Sequence, residues 1–520
     1  MRLSELIEGI DVFERKGDLT GEVSSVCYDS RLCRTDSLFV AIAGLKLDGH
    51  RFIPEALKQG CRSVLCEQPV DAPAGVTVLR VRDSRQALGV IGKNYFRNPS
   101  AALCLVGVTG TNGKTTITYL LESIFRQAGY APGVIGTINY RYRSKVREAA
   151  HTTPESFDLQ GMLREMLDAG VDHVVMEVSS HALDQKRVDD CEFDAGIFTN
   201  LSQDHLDYHG TLEAYFLAKR RLFTELLGRE ARGRGQTMII NGDDPFGKRI
   251  LRDVPPSRAL SYGLNGACDV GVARYSFSLD GIDAEIRTLR GTYPIRAALV
   301  GRYNLYNILA AAAAAYGLGI ENSAVQSGLS NLGTIPGRLE KVSAAGEPTV
   351  FVDYAHTEDA LKKVIENLLP FKKARLITVF GCGGDRDRGK RPLMGKAVVT
   401  RSDLSILTSD NPRTEDPLAI LGEIEMGIRD EGAKKYAVGD IREGFDGKGY
   451  VVIPDRREAI REAVGMAHPE DIVLVAGKGH ETYQIIGTEK FPFDDREECR
   501  EALKEKKLGR GRWAKSHSRS

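Results

Sequence analysis

Residues Gly107 to Thr116 read GVTGTNGKTT, preceded by the apolar run ALCLVGV (Ala102 to Val108) and followed without a break by the helical pattern TTITYLLESIFRQAG. A β-type run, a glycine-rich turn, a lysine, two hydroxyls and a helix occur here in the order that phosphate binding requires. Glycines let backbone N–H groups face an anion, and the helix that follows contributes its positive end. The segment therefore predicts a nucleotide loop formed by Gly110, Thr111, Asn112 and Gly113. Lys114 is expected to meet the outer phosphates, Thr115 to offer a hydroxyl to magnesium, and Thr116 to adjoin them. The glycines fall at 107, 110 and 113 while position 108 is Val, so the common GxxxxGK spacing is not kept and the loop reads as a subtype.

Working outward, VDHVVMEV (Val171 to Val178), DAGIFTN (Asp194 to Asn200) and QTMII (Gln236 to Ile240) alternate with helical stretches. Val- and Ile-rich runs separated by helices predict a parallel sheet covered on both faces. Glu177 ends one such run, at the sheet edge where open α/β folds bind ligands, and its hard oxygens suit magnesium. Beyond the next strand, LSQDHLDYHG gathers Asp204, His205, Asp207 and His209, and the helix after it carries Lys219. That cluster matches no standard zinc spacing, and metal or substrate contact and plain loop polarity stand level on the residues alone. Ser179, Ser180 and His181 adjoin in sequence, but an ATP-driven reaction needs no nucleophilic triad and none is assigned to them.

The pattern divides the chain. SLFVAIAG (Ser37 to Gly44), SVLC (Ser63 to Cys66) and the helical FIPEALKQG predict a small α/β unit over residues 1–100, closed by FRNPS. A P-loop domain is expected over 101–336; within it NILAAAAAAYGLG reads as a buried helix ended by Gly317 or Gly319. From Gly337, the runs TVFVDY, ARLITVF, LSILTSD, GYVVIP and DIVLVAG restart the β/α alternation, predicting a Rossmann-like domain over 337–508 and a basic tail over 509–520. The fold class is thus α/β in three domains.

Bulk properties narrow the class further. Among 520 residues, 71 are basic and 71 acidic, so no overall positive field exists to hold nucleic acid or an anionic membrane. The nine cysteines contain no CxxC pair, which argues against zinc ribbons, iron–sulfur centres and a secreted disulfide framework, suits a reducing cytoplasm and calls for no redox role. The start, MRLSELIEGIDVFERKGDLTG, resembles neither a signal peptide nor a membrane span.

On GVTGTNGKTT, Glu177, the His205 loop and EAYFLAKRRLF, the chain resembles the Mur ligases, the ATP-dependent amide-forming enzymes of peptidoglycan synthesis, over all three expected domains. The resemblance implies ATP and Mg2+, with Lys114, Glu177, His205 and Lys219 as catalytic residues. Thr115, Glu177, His205 and a carbamylated Lys219 are implied as metal ligands. It also implies nucleotide contacts at Asn304 in GRYNLYNILAA, Arg338 in PGRLE and Asp353 in VFVDYAH, with His356 nearby. Ser30 in YDSR, Thr152 and Thr153 in HTTP, Ser180 and Arg187 are implied contacts for UDP-N-acetylmuramoyl-L-alanyl-D-glutamate.

Asn411, Pro412 and Arg413 of TSDNPRTEDP match the motif of the branch that adds meso-2,6-diaminopimelate. Arg386, Gly477 and Glu481 are implied as that substrate's other contacts. Diaminopimelate carries a distal carboxylate that lysine lacks, and an arginine reads it by charge and bidentate hydrogen bonding. A monomer whose domains close around an acyl phosphate to exclude water is the expected form. A folate polyglutamate ligase shares the ATP logic but is opposed by the N-terminal substrate pattern and DNPR; a regulatory P-loop ATPase would split ATP without joining two substrates.

Overall fold

The computed structural model describes residues 1–44, 47–228, 236–443, 445 and 447–509. The basic tail expected from residue 509 lies, beyond Gly509, outside the described residues. Two compact units form: Met1–Gly271 with Arg287–Gly291 and Asn307–Gly328, and Val272–Ile286 with Thr292–Tyr306 and Leu329–Ser520.

The first unit holds two sheets. The N-terminal one has five strands in the order Val12–Lys16, Thr77–Val81, Ser63–Cys66, Ser37–Val40, Ser25–Cys27; only the Val12–Lys16 edge runs antiparallel. Ser37–Val40 and Ser63–Cys66 are buried at every position, as befits strands covered on both faces. The larger sheet runs Ala259–Tyr262, Thr237–Asn241, Ala195–Phe198, Cys104–Thr109, His173–Glu177, Pro132–Ile135, then the antiparallel hairpin Asn139–Tyr142 and Lys145–Glu148. Cys104–Thr109 pairs in parallel with both Ala195–Phe198 and His173–Glu177, so the carboxyl ends of three neighbouring strands converge on one edge. The helix Lys114–Gln127 leaves that edge and buries Ile117, Leu120, Leu121, Ile124 and Phe125. Each such side chain contributes about 1.5–3 kcal/mol of gross apolar stabilisation.

The second unit is built on a seven-stranded sheet in the order Glu340–Lys341, Thr349–Asp353, Ile472–Ala476, Leu376–Phe380, Leu404–Leu407, Gly449–Val452, Lys434–Lys435. Its five long strands are parallel and were all anticipated. The antiparallel edge strand and the hairpin Tyr483–Ile486/Glu489–Pro492 were not. A three-stranded sheet, Gly271–Ser278, Gly281–Thr288, Gly291–Ala297, also went unread, because its exposed faces carry few apolar residues. In the first unit, Ala310 to Ala315 of the helix Arg302–Gly317 are all fully buried, and Gly319 at φ 77° follows the helix end.

Cys27 and Cys33 are bonded, with Cα atoms 5.8 Å apart, a local link and not the disulfide framework that the cysteine spacing argues against. Spacing could not reveal this pair because it is made by the turn that folds YDSRL back under the strand Ser25–Cys27. Among the described residues, no helix is long and apolar enough to cross a membrane.

Candidate active site

The nucleotide loop is shaped by glycines that no other residue replaces easily. Gly110 sits at φ 142° and Gly113 at φ 92°; a Cβ at Gly110 would overlap the Thr199 side chain, and one at Gly113 the Asn307 amide. The loop is tied to the strand-end segment beside it. Thr111 N–H donates to Asn200 O (2.8 Å), Asn112 N–H to Asn200 Oδ1 (3.1 Å), and Thr199 Oγ1 to Asn112 O (2.7 Å). Lys114 Nζ donates to the carbonyls of Gly110 and Thr111, both at 2.9 Å.

Lys219 arrives at the same place from a helix, Leu212–Arg221, whose first turn is capped by the Thr211 hydroxyl. Its Nζ donates to Gly110 O at 2.9 Å, so two lysines share one carbonyl oxygen. Only 1% of Lys219 is exposed. Burial, reinforced by the neighbouring Lys114 charge, pushes its pKa well below the ordinary lysine value and favours the neutral amine. The Tyr215 ring lies 4.5 Å from the nitrogen.

Glu177 is equally buried and caught by hydroxyls: Oε1 accepts from Thr115 Oγ1 (2.9 Å) and Thr137 N–H (2.9 Å), and Oε2 from Thr137 Oγ1 (3.0 Å). Thr115 and Glu177 thus join the first helical turn to the end of the neighbouring strand, and their oxygens form a hard donor pair of the kind magnesium prefers. His205 sits on the left-handed start of a short helix (φ 53°), with Nε2 3.5 Å from Asp204 Oδ2. Burial lowers its pKa to about 4, leaving a neutral imidazole at neutral pH. Among the described residues, the three-ligand grouping of His, Cys, Asp or Glu lies at Cys27, Cys33 and Cys61, not at Glu177 and His205. Thr116 is buried in the first helical turn.

Of the other residues expected at this unit's site, Thr152, Thr153 and Arg187 form a chain leading from Glu177. Thr152 Oγ1 is 3.1 Å from Thr137 Oγ1, and Thr153 Oγ1 donates to Glu177 O at 2.8 Å. Arg187 donates to Thr153 O (3.1 Å) and lies 3.5 Å from Glu155. Ser180 Oγ is 3.0 Å from His209 Nε2. Ser179 caps its helix by accepting from Ala182 N–H, which accords with a structural role and no triad. Ser30 belongs to the N-terminal sheet region, where its hydroxyl donates to Glu55 Oε2 at 2.9 Å.

In the second unit, three loops leave adjacent parallel strands at one edge. Asn411 Nδ2 donates to Glu481 Oε2 (2.9 Å), bringing DNPR and AGKGHE together. Arg413 occupies the left-handed region (φ 52°) and donates to Gly384 O at 2.7 Å, joining DNPR to the GCGGDRDRGK loop. Arg386 in that loop is exposed and donates to Asp385 O. Gly477 (φ 119°) leaves no room for a Cβ beside Asp410, and a Cβ at Gly384 would overlap Pro412 O.

Asp353 ends the next strand. Its oxygens accept from Leu339 N–H (2.7 Å) and Ala355 N–H (2.8 Å), and burial raises its pKa. Arg338 packs 5.0 Å from the Tyr354 ring centroid, and His356 Nδ1 lies 2.8 Å from Tyr354 O. Asn304 donates to Val300 O at 2.9 Å.

Sequence reasoning missed several residues. Thr137 grips Glu177 twice, and a hydroxyl just past the short strand Pro132–Ile135 was the available signal. Lys478, fully buried, donates to Asn411 Oδ1 (3.1 Å) and Glu481 Oε2 (2.9 Å). Arg391, also fully buried, grips Glu415 through two nitrogens and Glu423 through one.

A glycine-rich loop at the end of a central parallel strand, in a chain whose C-terminal segment builds a second, largely parallel sheet of Rossmann type, is an α/β architecture of the nucleotide-binding class. Three family models match the chain: the Mur ligase family catalytic domain over residues 22–96, the Mur ligase middle domain over 108–315, and the Mur ligase glutamate ligase domain over 337–479. The chain belongs to the Mur ligase family, with its three-domain architecture. It is 49% identical over 506 residues, 97% of this chain and 99% of the relative, to the UDP-N-acetylmuramoyl-L-alanyl-D-glutamate–2,6-diaminopimelate ligase of Geobacter metallireducens. A solved structure of a ligase of that same description superposes with a TM-score of 0.68 at 33% identity, covering 97% of this chain and 99% of that one. The folylpolyglutamate synthase of Mycobacterium tuberculosis shares the fold alone, with a TM-score of 0.60 at 17% identity over 75% of this chain and 92% of that one.

Proposed function

We propose that the chain joins meso-2,6-diaminopimelate to UDP-N-acetylmuramoyl-L-alanyl-D-glutamate at the expense of ATP, in cytoplasmic peptidoglycan precursor synthesis. The observation that carries this reading is the presence of both a glycine-built loop before Lys114 and a DNPR loop held against Glu481 in a chain 49% identical to a ligase of that description. In residue numbers, the reading assigns 1–100 to the UDP-substrate, 101–336 to ATP and 337–508 to the amino acid.

The chemistry follows from the groups. A carboxylate is a poor electrophile and hydroxide a poor leaving group, so the terminal carboxylate of the dipeptide first takes the outer phosphoryl group of ATP, with ADP leaving. The amine then attacks the acyl phosphate, and phosphate departs as the amide forms. Loop N–H groups and Lys114, released from its two carbonyls, would cradle the phosphates. Thr115 and Glu177 would hold Mg2+, with His205 and Lys219 as further ligands, and the ion when bound neutralises charge on the phosphoryl oxygens. The neutral form of an amine is the one that adds CO2, burial moves Lys219 towards it, and the resulting carbamate would replace a cation with an anionic oxygen donor. Thr152, Thr153, Ser180, Arg187 and Ser30 would orient the UDP-substrate. Asn304, Arg338 and Asp353 would be further contacts of the nucleotide. Arg413 and Arg386 would pair with the distal carboxylate of diaminopimelate, alongside Asn411, Pro412, Gly477 and Glu481.

Product masses from parallel reactions with meso-diaminopimelate, L-lysine and L-ornithine test this reading. The diaminopimelate adduct is expected to dominate, and Arg413→Leu should erase most of the preference, by about 10²-fold or more, since a charge-assisted pair is lost. Equal efficiency with lysine in the unaltered protein would refute the selectivity, and ATP loss without a joined product would refute ligation.

A further inference from the structure

Away from the phosphate loop, three cysteines meet beneath the YDSR turn. Cys27 ends the strand Ser25–Cys27, Cys33 follows the short helical turn Ser30–Leu32, and Cys61 precedes the strand Ser63–Cys66. All three are buried, and their sulfurs lie within 4.8 Å of one another. Cys27 and Cys33 are bonded across a sequence separation of 6, with a Cα–Cα distance of 5.8 Å, inside the range a disulfide spans without moving backbone. The pair is enclosed by an apolar cluster that includes Phe39, Ile53, Ala56, Val64 and Val78. A neutral disulfide suits such surroundings, whereas three thiolates gathered on a soft metal ion would carry net charge into them. Cys61 donates its S–H to Ser37 O at 3.1 Å, and burial pushes its thiol up to about 12, so it remains a protonated neighbour.

What the pair encloses gives it consequence. Between the two cysteines lie Tyr28, Asp29, Ser30, Arg31 and Leu32. Tyr28 donates its phenol to Asp158 on the helix Ser156–Asp168 of the neighbouring sheet layer, Asp29 caps the turn through Arg31 N–H (3.0 Å), and Ser30 is held by Glu55. The link therefore staples the turn assigned above to the UDP-substrate. In a reducing compartment, which the cysteine pattern predicts, disulfides that do form are characteristically transient and redox-sensing.

We propose that Cys27 and Cys33 form a reversible thiol–disulfide site whose oxidation by a small-molecule disulfide tightens binding of the UDP-substrate; the site itself stands on the sulfur geometry, and only its effect on substrate rests on the proposed function. In the exchange, one cysteine thiolate attacks the small disulfide, forming a mixed disulfide and releasing one thiolate. The second cysteine thiolate displaces the remaining half, closing Cys27–Cys33. The two cysteines lose two electrons, the small disulfide gains them, and the two protons end on the two small thiols. Excess small thiol runs the sequence backwards.

The full chain, equilibrated across a series of glutathione to glutathione-disulfide ratios, quenched with an alkylating agent and digested, reports the state by peptide mass. A Cys27–Cys33 cross-link two hydrogens lighter than the dithiol is expected to appear with rising disulfide and to vanish with dithiothreitol. Absence of the cross-link at every ratio, or a cross-link that joins Cys61 instead, would overturn the site. KM for the UDP-substrate should be at least about threefold lower in the oxidised protein, with kcat unmoved, because a stapled turn has less freedom to lose on binding. Cys33→Ala and, separately, Cys27→Ala should make KM indifferent to the ratio; a KM that is the same in both states of the unaltered protein, or that still follows the ratio in both variants, would overturn the coupling. Should no turnover occur in either state, the ligase reading fails while the mass readout still decides the disulfide.

Discussion

Replacing Glu177 by glutamine separates a metal ligand from a structural clasp. Oε1 accepts two hydrogen bonds and Oε2 one. Glutamine has the same shape and can place its carbonyl oxygen where Oε1 receives Thr115 and the Thr137 N–H. Its NH2 group then faces Thr137 Oγ1, which can turn to accept it and donate towards Thr152 Oγ1 at 3.1 Å. One N–H of the new amide is thereby paired, and its second N–H is the residual cost of the exchange. Three charge-assisted bonds become neutral ones, a loss of roughly 1 kcal/mol each, largely offset because a buried carboxylate no longer has to be desolvated. A net cost of about 1 kcal/mol lowers the Tm of a domain this size by about 2–4 °C. The role proposed for the carboxylate beside magnesium has no such replacement, and losing several kcal/mol of charge stabilisation would slow turnover by about 10²–10³-fold. Thermal unfolding followed by phosphate release measured against magnesium concentration reads both quantities. Turnover within threefold of the unaltered protein at limiting magnesium, together with a Tm lowered by more than about 10 °C, would show Glu177 to be a clasp for Thr137 and no ligand.

Lys219→Ala should lower turnover by about 10²-fold or more, and added short-chain carboxylic acids should restore part of it by supplying the oxygens of a carbamate; undiminished activity, or a defect that no acid relieves, would count against the modified lysine. Glu415 is held at about 2 by the hydrogen bonds it accepts from Arg391 and, next, from the backbone N–H of Asp385, against an ordinary 4.5. Because this pKa is depressed by folding, the stabilisation is complete above about pH 4.5 and drains away as pH falls through about 2. Melting temperatures of the unaltered protein should therefore fall more steeply over that window than those of Glu415→Gln, and parallel curves would contradict the pairing.

Much of the machinery was legible along the chain because its signals are local. A strand ending at Thr109, glycines at 110 and 113 and a helix from Lys114 are set by neighbours in sequence, and the structure keeps that order. The five long parallel strands of the second unit announced themselves as apolar runs for the same reason. Strands with mixed faces, such as Asn139–Tyr142, and short edge pairs, such as Glu340–Lys341, carry no such run and were missed.

The sequence by itself determined the phosphate loop, the α/β alternation and the residue types able to handle ATP, since each depends on side chains within a turn or two of one another. Only the tertiary structure decided that Lys219 shares a carbonyl with Lys114, that Thr137 holds Glu177, that Lys478 bridges Asn411 and Glu481, and that Cys27 reaches Cys33. The Thr137 and Lys478 bridges arise where separate strands end at a common edge, the Lys219 contact where a helix packs against the loop after a strand, and the cysteine pair where a turn folds back on its strand; such packing and turn geometry are properties of the folded chain that no stretch of sequence carries alone.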